Sequence, residues 1–191
     1  MVSSIISDFI SSLQLLFIGY IPAAAIGIVL GVILGINGFI YQFFKWIIKI
    51  PYSFLPITLL PIFLILLPEK EAAKIIIVFL SSLWSIILNT STGIHLGRNQ
   101  GNNFRIVINR IFDGLQFAIW VAWLVVITME MLIGNQGLGY LVWNSYKTNN
   151  YNSMVQGVIY ISVIAFLLDQ LLEITGNILA QLVSEGKKSD T

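Results

Sequence analysis

From Leu15 to Ile36 the chain runs without a charged side chain, and about 20 consecutive apolar residues are what a helix needs to cross a bilayer's hydrocarbon core. A helix that is apolar on every side has to be buried in a large protein or in lipid. Comparable runs return at Ser53 to Leu67, Ala72 to Leu88, Asp113 to Ile133 and Met154 to Ile174. With 57% hydrophobic and 10% charged residues, against roughly 25% charged in an average soluble domain, the polar surface is too small to cover a water-facing globule. Lipid offers an open backbone no hydrogen-bond partner, so the spans must be helical. The sequence therefore predicts an all-α integral membrane protein, a polytopic bundle of about five transmembrane helices. Its limits are an external amino-terminal segment over 1–14, a transmembrane domain over 15–180 and a cytoplasmic tail over 181–191.

Between the spans, Phe39 to Ile50 mixes bulky apolar residues with Gln42, Lys45 and Lys49 ahead of Pro51, which predicts a short helix along the membrane surface. Pro56 and Pro61 interrupt the span at 53–67, and such breaks are tolerated where protein rather than lipid surrounds them. The polar stretch 89–110, rich in Gly and Asn, reads as the largest aqueous loop, and 134–153 as a second loop. The first run is too long for a secretory signal, and the residues before it hold Asp8 and no basic residue. Placing the amino terminus outside puts Lys45, Lys49, Arg98, Arg105, Arg110, Lys187 and Lys188 inside and leaves Lys70, Lys74 and Lys147 outside. That is the bias cytoplasmic loops carry. The expected location is a cytoplasmic, thylakoid or organellar inner membrane, and heavy use of Ile, Asn, Phe and Tyr hints at an organellar, cyanobacterial or otherwise AT-rich genome.

A net charge of +1 argues against a nucleic-acid partner. No cysteine is present, so disulfides, thiolate metal sites and thiol nucleophiles are excluded, and one histidine makes no histidine-ligated metal centre. No catalytic, cofactor or metal residues are expected. Glu130, the charge placed deepest in a span, is either a gating or helix-positioning group or a structural hydrogen-bond acceptor near the interface. Asp169 joins Glu130 as a candidate pore or gating group; with Glu173, four residues on along one helix face, it reads as a paired-carboxylate or cation site or as a hydrated or backbone-paired structural group. His95, Arg98, Arg105 and Arg110 in the polar stretch are candidate contacts for a cytoplasmic partner, although exposure to solvent alone would explain His95. Gly27, Gly31 and Gly35 repeat every fourth residue and predict a helix-packing face. Gly134 to Tyr140 reads as an external turn. The aromatic residues of the fourth span and the loop after it fit an interfacial belt or a packing surface.

Several stretches, taken in order, resemble the permease subunits of binding-protein-dependent ABC importers of the nitrate, bicarbonate, taurine and sulfonate group. They are the glycine-spaced Ala25 to Gly31, then Leu88-Asn89-Thr90 with Gly93, and Ala122-Trp123 leading to Met129-Glu130-Met131-Leu132. Gly137 to Asn144 and Leu167-Leu168-Asp169 complete the set. The resemblance implies a second permease copy, separate ATPase subunits that hold the ATP, and an external binding protein. It also implies a coupling helix between the third and fourth core spans, signed by Glu-Ala-Ala and a later proline-bearing run. Here that stretch is 89–110, which lacks the signature and looks short. Glu71-Ala72-Ala73 spells it, but lies before a span and reads as a helix start. The family's usual extra span ahead of the core is not found.

Two functions follow as expectations. One is the permease-like subunit of an ABC importer for a small anion such as nitrate, bicarbonate or a sulfonate. The other is a permease-derived, transport-inactive structural or assembly subunit among neighbouring chains of a larger membrane complex, photosynthetic or otherwise energy-converting. The chain has no Walker phosphate loop, so in neither case is it expected to be an enzyme.

Overall fold

The computed structural model describes residues 2–39, 41–44, 47, 56–100 and 103–189. Its elements are α1 (Val2–Ile36), a 3-10 turn (Pro56–Leu59) leading into α2 (Leu60–Leu66), α3 (Lys70–Asn99), α4 (Phe104–Ile133), α5 (Leu138–Lys147) and α6 (Tyr151–Ser189). Residues 38–39 and 41–44 are also helical, and no strand occurs among the described residues. Four helices, α1, α3, α4 and α6, are long and apolar enough to cross a membrane. The protein is thus all-α and integral to the membrane.

The centre of the bundle is α3, whose small and serine-rich face lets two neighbours approach. A Cβ added to Gly19, Gly27, Gly31 or Gly35 of α1 would press on Val78, Ile86, Thr90 or Ile94 of α3 respectively. Both series rise together, so α1 and α3 run parallel. On the other side, Gly93 and Gly97 of α3 meet Arg110 and Val107 of α4, and Gly114 meets Asn89, which makes α3 and α4 antiparallel. The core between them holds Leu16, Ile77, Ile86, Ala118, Val126 and Met129. Gly27, Gly31 and Gly35 therefore form the close-packing face their spacing predicts. Replacing Gly31 by Leu should cost at least about 2 kcal/mol, because the site is overpacked from its first carbon outward: even a bare Cβ would lie 2.5 Å from the Thr90 Cβ. A melting temperature in detergent at or above the wild-type value would contradict this interface.

Several boundaries differ from the sequence expectation. The span placed at 53–67 is not a full-length helix: what is described of it is the turn and α2, from Pro56 to Leu66, too short to cross alone at 1.5 Å per residue. The prolines explain the break, since each removes a backbone donor. Because α1 and α3 pack in parallel, the chain between Ile36 and Lys70 has to return to the end at which α1 begins. Residues 51–55, much of the interfacial helix placed at 39–50, and with it Lys45 and Lys49, lie outside the described residues.

The polar stretch 89–110 is not a loop. Two helices run through it, and the connection is residues 100–103. Two of its polar side chains bond to their own helix: Asn89 Nδ2 donates to the Ser85 carbonyl at 2.9 Å and Ser91 Oγ to the Leu88 carbonyl at 3.0 Å. The second loop, 134–153, contains α5. Residues 2–14 of the segment placed at 1–14 are the start of α1 rather than a separate arm, and 181–189 continue α6 rather than forming a tail. Glu71-Ala72-Ala73 opens α3, where Glu71 pairs with Lys74 at 2.7 Å.

Candidate functional site

At one end the starts of α1 and α3 meet the end of α4 and all of α5. The loop closing α4 turns at Gly137, whose φ of 107° lies in the left-handed region that favours glycine. Without a side chain, Gly137 cannot cap α5, and the first amides of that helix are taken by other helices instead. Gly137 N donates to Asp8 Oδ1, Leu138 N to Ser12 Oγ and Gly139 N to Glu130 Oε2, each at 2.9 Å. Ser12 Oγ in turn donates to Glu130 Oε2 at 2.9 Å.

Glu130 is 2% exposed. A buried carboxylate needs hydrogen bonds or a counter-charge, and here it has both the hydroxyl of α1 and the positive end of the α5 dipole. Lys74 of α3, itself buried, is close enough to act on it electrostatically, but its ammonium is bonded to Glu71. The geometry is that of a structural acceptor joining three helices. Of Asp8 and Ser12, which complete it, the sequence used Asp8 only to argue against a secretory signal and Ser12 not at all; the one local signal was the Gly137-x-Gly139 pair, read there as a plain turn.

A second polar feature lies between α4 and α6, nearer the other end. Asn109, Asp113 and Gln116 of α4 face Glu173 and Asn177 of α6 across a cleft of about 350 Å³ floored by Phe112. Phe112 sits directly over Gly176. Asp113 pairs with Arg110 at 3.6 Å, and Glu173 accepts a hydrogen bond from Gln170 Nε2 at 3.1 Å. Asp169 borders a separate small crevice with Trp120 and Trp123. Asp169 and Glu173 share the helix face their spacing gives, but no hydrogen bond joins them, and no cluster of three or more metal-ligating residues occurs among the described residues.

The basic end carries the other candidates, and they do not converge. His95 is a half-buried helix residue whose ring stacks on Tyr41 at 4.2 Å, with Asn99 Nδ2 within 3.2 Å of its Nε2; it is not a loop residue. Arg98 Nη1 donates to the carbonyl of Ile36 and so caps the end of α1, where a cation complements the dipole. Arg110 packs its stem on Gly93 and turns its head to Asp113. Arg105, exposed, forms no ion pair with another described residue. Next to it Phe104, at 63% exposure, stands at the hairpin tip. At the opposite end Trp143 and Tyr146 of α5 stack at 5.6 Å beneath Lys147, an exposed aromatic group of the kind found at a membrane interface.

No protein-family model matches the chain. Individual proteins do. It is 28% identical over 93% of its length to the nitrate import permease protein NrtB of Leptolyngbya laminosa, covering 69% of that protein. It is 28% identical over 85% of its length to the bicarbonate transport system permease protein CmpB of Synechococcus elongatus, covering 65% of it. With the taurine transport system permease protein TauC of Escherichia coli it shares 22% over 83% of its length, covering 64%. The chain thus spans about two thirds of the length of these relatives. All of them are transport permeases rather than enzymes. The chain is thus related to the ABC importer permeases of the nitrate, bicarbonate and taurine group.

Proposed function

We propose that the chain is the membrane permease subunit of an importer for a small anion such as nitrate, bicarbonate or a sulfonate, energised by a separate ATPase and supplied by an external binding protein. The observation that carries this role is the α4–α6 cleft. Carboxylates and amides within membrane-spanning helices are costly against lipid and normally face protein or water. Asn109, Gln116 and Asn177 line the cleft, and their side-chain amides can replace part of an anion's hydration shell. The carboxylates of Asp113 and Glu173 are engaged with Arg110 and Gln170.

The amino terminus faces outward and the arginine-bearing end faces the cytoplasm, in keeping with the charge bias of the ends. Contact with the ATPase falls to the tip of the α3–α4 hairpin, at Arg98, Phe104 and Arg105. His95 and Arg110 support that tip from within. ATP binds the partner, and this chain holds no cofactor.

Uptake of labelled nitrate, bicarbonate and taurine, in cells lacking the gene and in cells complemented with it, tests the role. Loss of one uptake activity, restored by the wild-type chain and reduced about tenfold or more with Gln116→Leu/Asn177→Leu, is expected. Unchanged uptake of all three, with recovery of the chain in a large complex lacking any ATPase, would indicate the structural-subunit role instead.

A further inference from the structure

The first turns of α1 are held differently from the rest of that helix. From Leu15 onward α1 is anchored by buried side chains, with Leu15, Leu16 and Tyr20 in the core and the Tyr20 hydroxyl bonded to the Leu115 carbonyl at 3.0 Å. Between Ile5 and Ser11 no residue is fully buried. Phe9 and Ile10 are 38% and 54% exposed, and Ile6 is 53% exposed. What ties this stretch to the bundle is polar: Asp8 Oδ1 on the Gly137 amide, with Ser12 Oγ on the Leu138 amide at its lower edge.

Packing along the same seam is open. A crevice of about 320 Å³, open at the surface, lies between Ile5, Ile6 and Phe9 on α1 and Leu138 and Tyr160 on α5 and α6. The other contacts of α5 are tight. A Cβ on Gly139 would strike the Ile127 carbonyl of α4, and one on Gly157 of α6 would lie 2.7 Å from Val142 Cγ2. So α5 is fixed to α4 and α6, and its seam with α1 is the loose one.

We propose that residues 5–11 form a strap that lifts from α5 as a unit, that Asp8 is its catch, and that Ser12 is the pivot at which α1 stays attached. Lifting uncovers the crevice and frees the Gly137 amide, while the Glu130 contacts with Ser12 and Gly139 stay in place below. The device does not depend on which solute the protein carries, or on whether it carries one.

The chain contains no cysteine, so spin labels can be placed without removing any. Labels at Ile10→Cys and Tyr146→Cys, both at exposed positions, report the strap against α5; a pair at Ile21→Cys and Leu124→Cys, also exposed, reports the anchored body. In phosphatidylcholine vesicles the otherwise unaltered chain should give one dominant distance for the first pair. Asp8→Ala should add a longer population and speed exchange of the Gly137 amide by about tenfold or more, as loss of a hydrogen bond to a charged group implies. Asp8→Asn, which keeps an acceptor oxygen, should restore most of the closed population. The control pair should not change in either variant. An unaltered strap distance with unchanged Gly137 exchange in Asp8→Ala would overturn the proposal, as would equal broadening of the control pair, which would show the whole bundle loosening rather than a strap.

Discussion

Replacing Gly137 by Ala is expected to destabilise the protein by about 3 to 5 kcal/mol, a loss reserved for a few kinds of substitution. Three effects coincide. The residue has φ 107° and ψ 169°, a region essentially reserved for glycine, where an L side chain costs about 1 to 3 kcal/mol. Its new Cβ would overlap the Glu130 carboxylate, and relieving an overlap in a packed site costs about 1 to 3 kcal/mol. Moving the turn to relieve it draws the Gly137 amide from Asp8 and the Gly139 amide from Glu130. Gly38→Ala provides the comparison: the nearest atom to its added methyl is His95 Cε1 at 3.6 Å, ordinary contact distance. Thermal unfolding in detergent should therefore separate the two variants widely. Similar melting temperatures would mean that the turn at Gly137 is not fixed by the carboxylate beneath it.

The parts of this fold that were legible in the sequence are those set by lipid. A run free of charge from Leu15 to Ile36 has one stable destination, and glycines at 27, 31 and 35 can share only one face of a helix. The partner of that face, Ile86 through Ile94 on α3, could not be read, because spacing says where a helix can be approached and not by which neighbour. The stretch 89–110 misled for a related reason. Asn, Ser and Gly are frequent in loops, yet Asn89 and Ser91 bond to their own helix backbone, and Gly93 and Gly97 are there so that α4 can come close. Local composition does not distinguish a group that faces water from one satisfied by its own turn of helix. At the candidate site, Glu130 stood out by its depth, while Asp8 and Ser12 did not. They lie 118 to 129 residues away from the atoms they bind, and nothing short of the folded arrangement of α1, α4 and α5 brings them together.

Glu130→Ala is expected to lower stability by about 2 to 4 kcal/mol, through a buried amide left unpaired and a cavity where the carboxylate was. The Ser12 hydroxyl and the Gly139 amide both end on Oε2 at 2.9 Å; the hydroxyl has a second acceptor in the Asp8 carbonyl at 3.1 Å, so it is the amide that is orphaned, and a buried donor left without an acceptor costs about 1 to 3 kcal/mol. For a chain of this length the loss corresponds to a melting temperature lower by on the order of 10 °C. Glu130→Gln keeps an acceptor oxygen and the same volume, so it should lose about 1 to 2 kcal/mol, the difference between a charged and a neutral acceptor. The ranking also separates the two roles of an intramembrane carboxylate. A structural acceptor predicts that transport by the Gln variant stays close to wild type once corrected for the amount of folded protein, because the joint between α1, α4 and α5 is kept. A carboxylate acting on the passage itself predicts the reverse, a Gln variant that is nearly as stable as wild type and transports little. Glu130 lies at the α5 end of the bundle, away from the cleft lined by Asn109, Gln116 and Asn177. The first outcome is therefore expected, with the Ala variant losing activity only in step with its folded fraction.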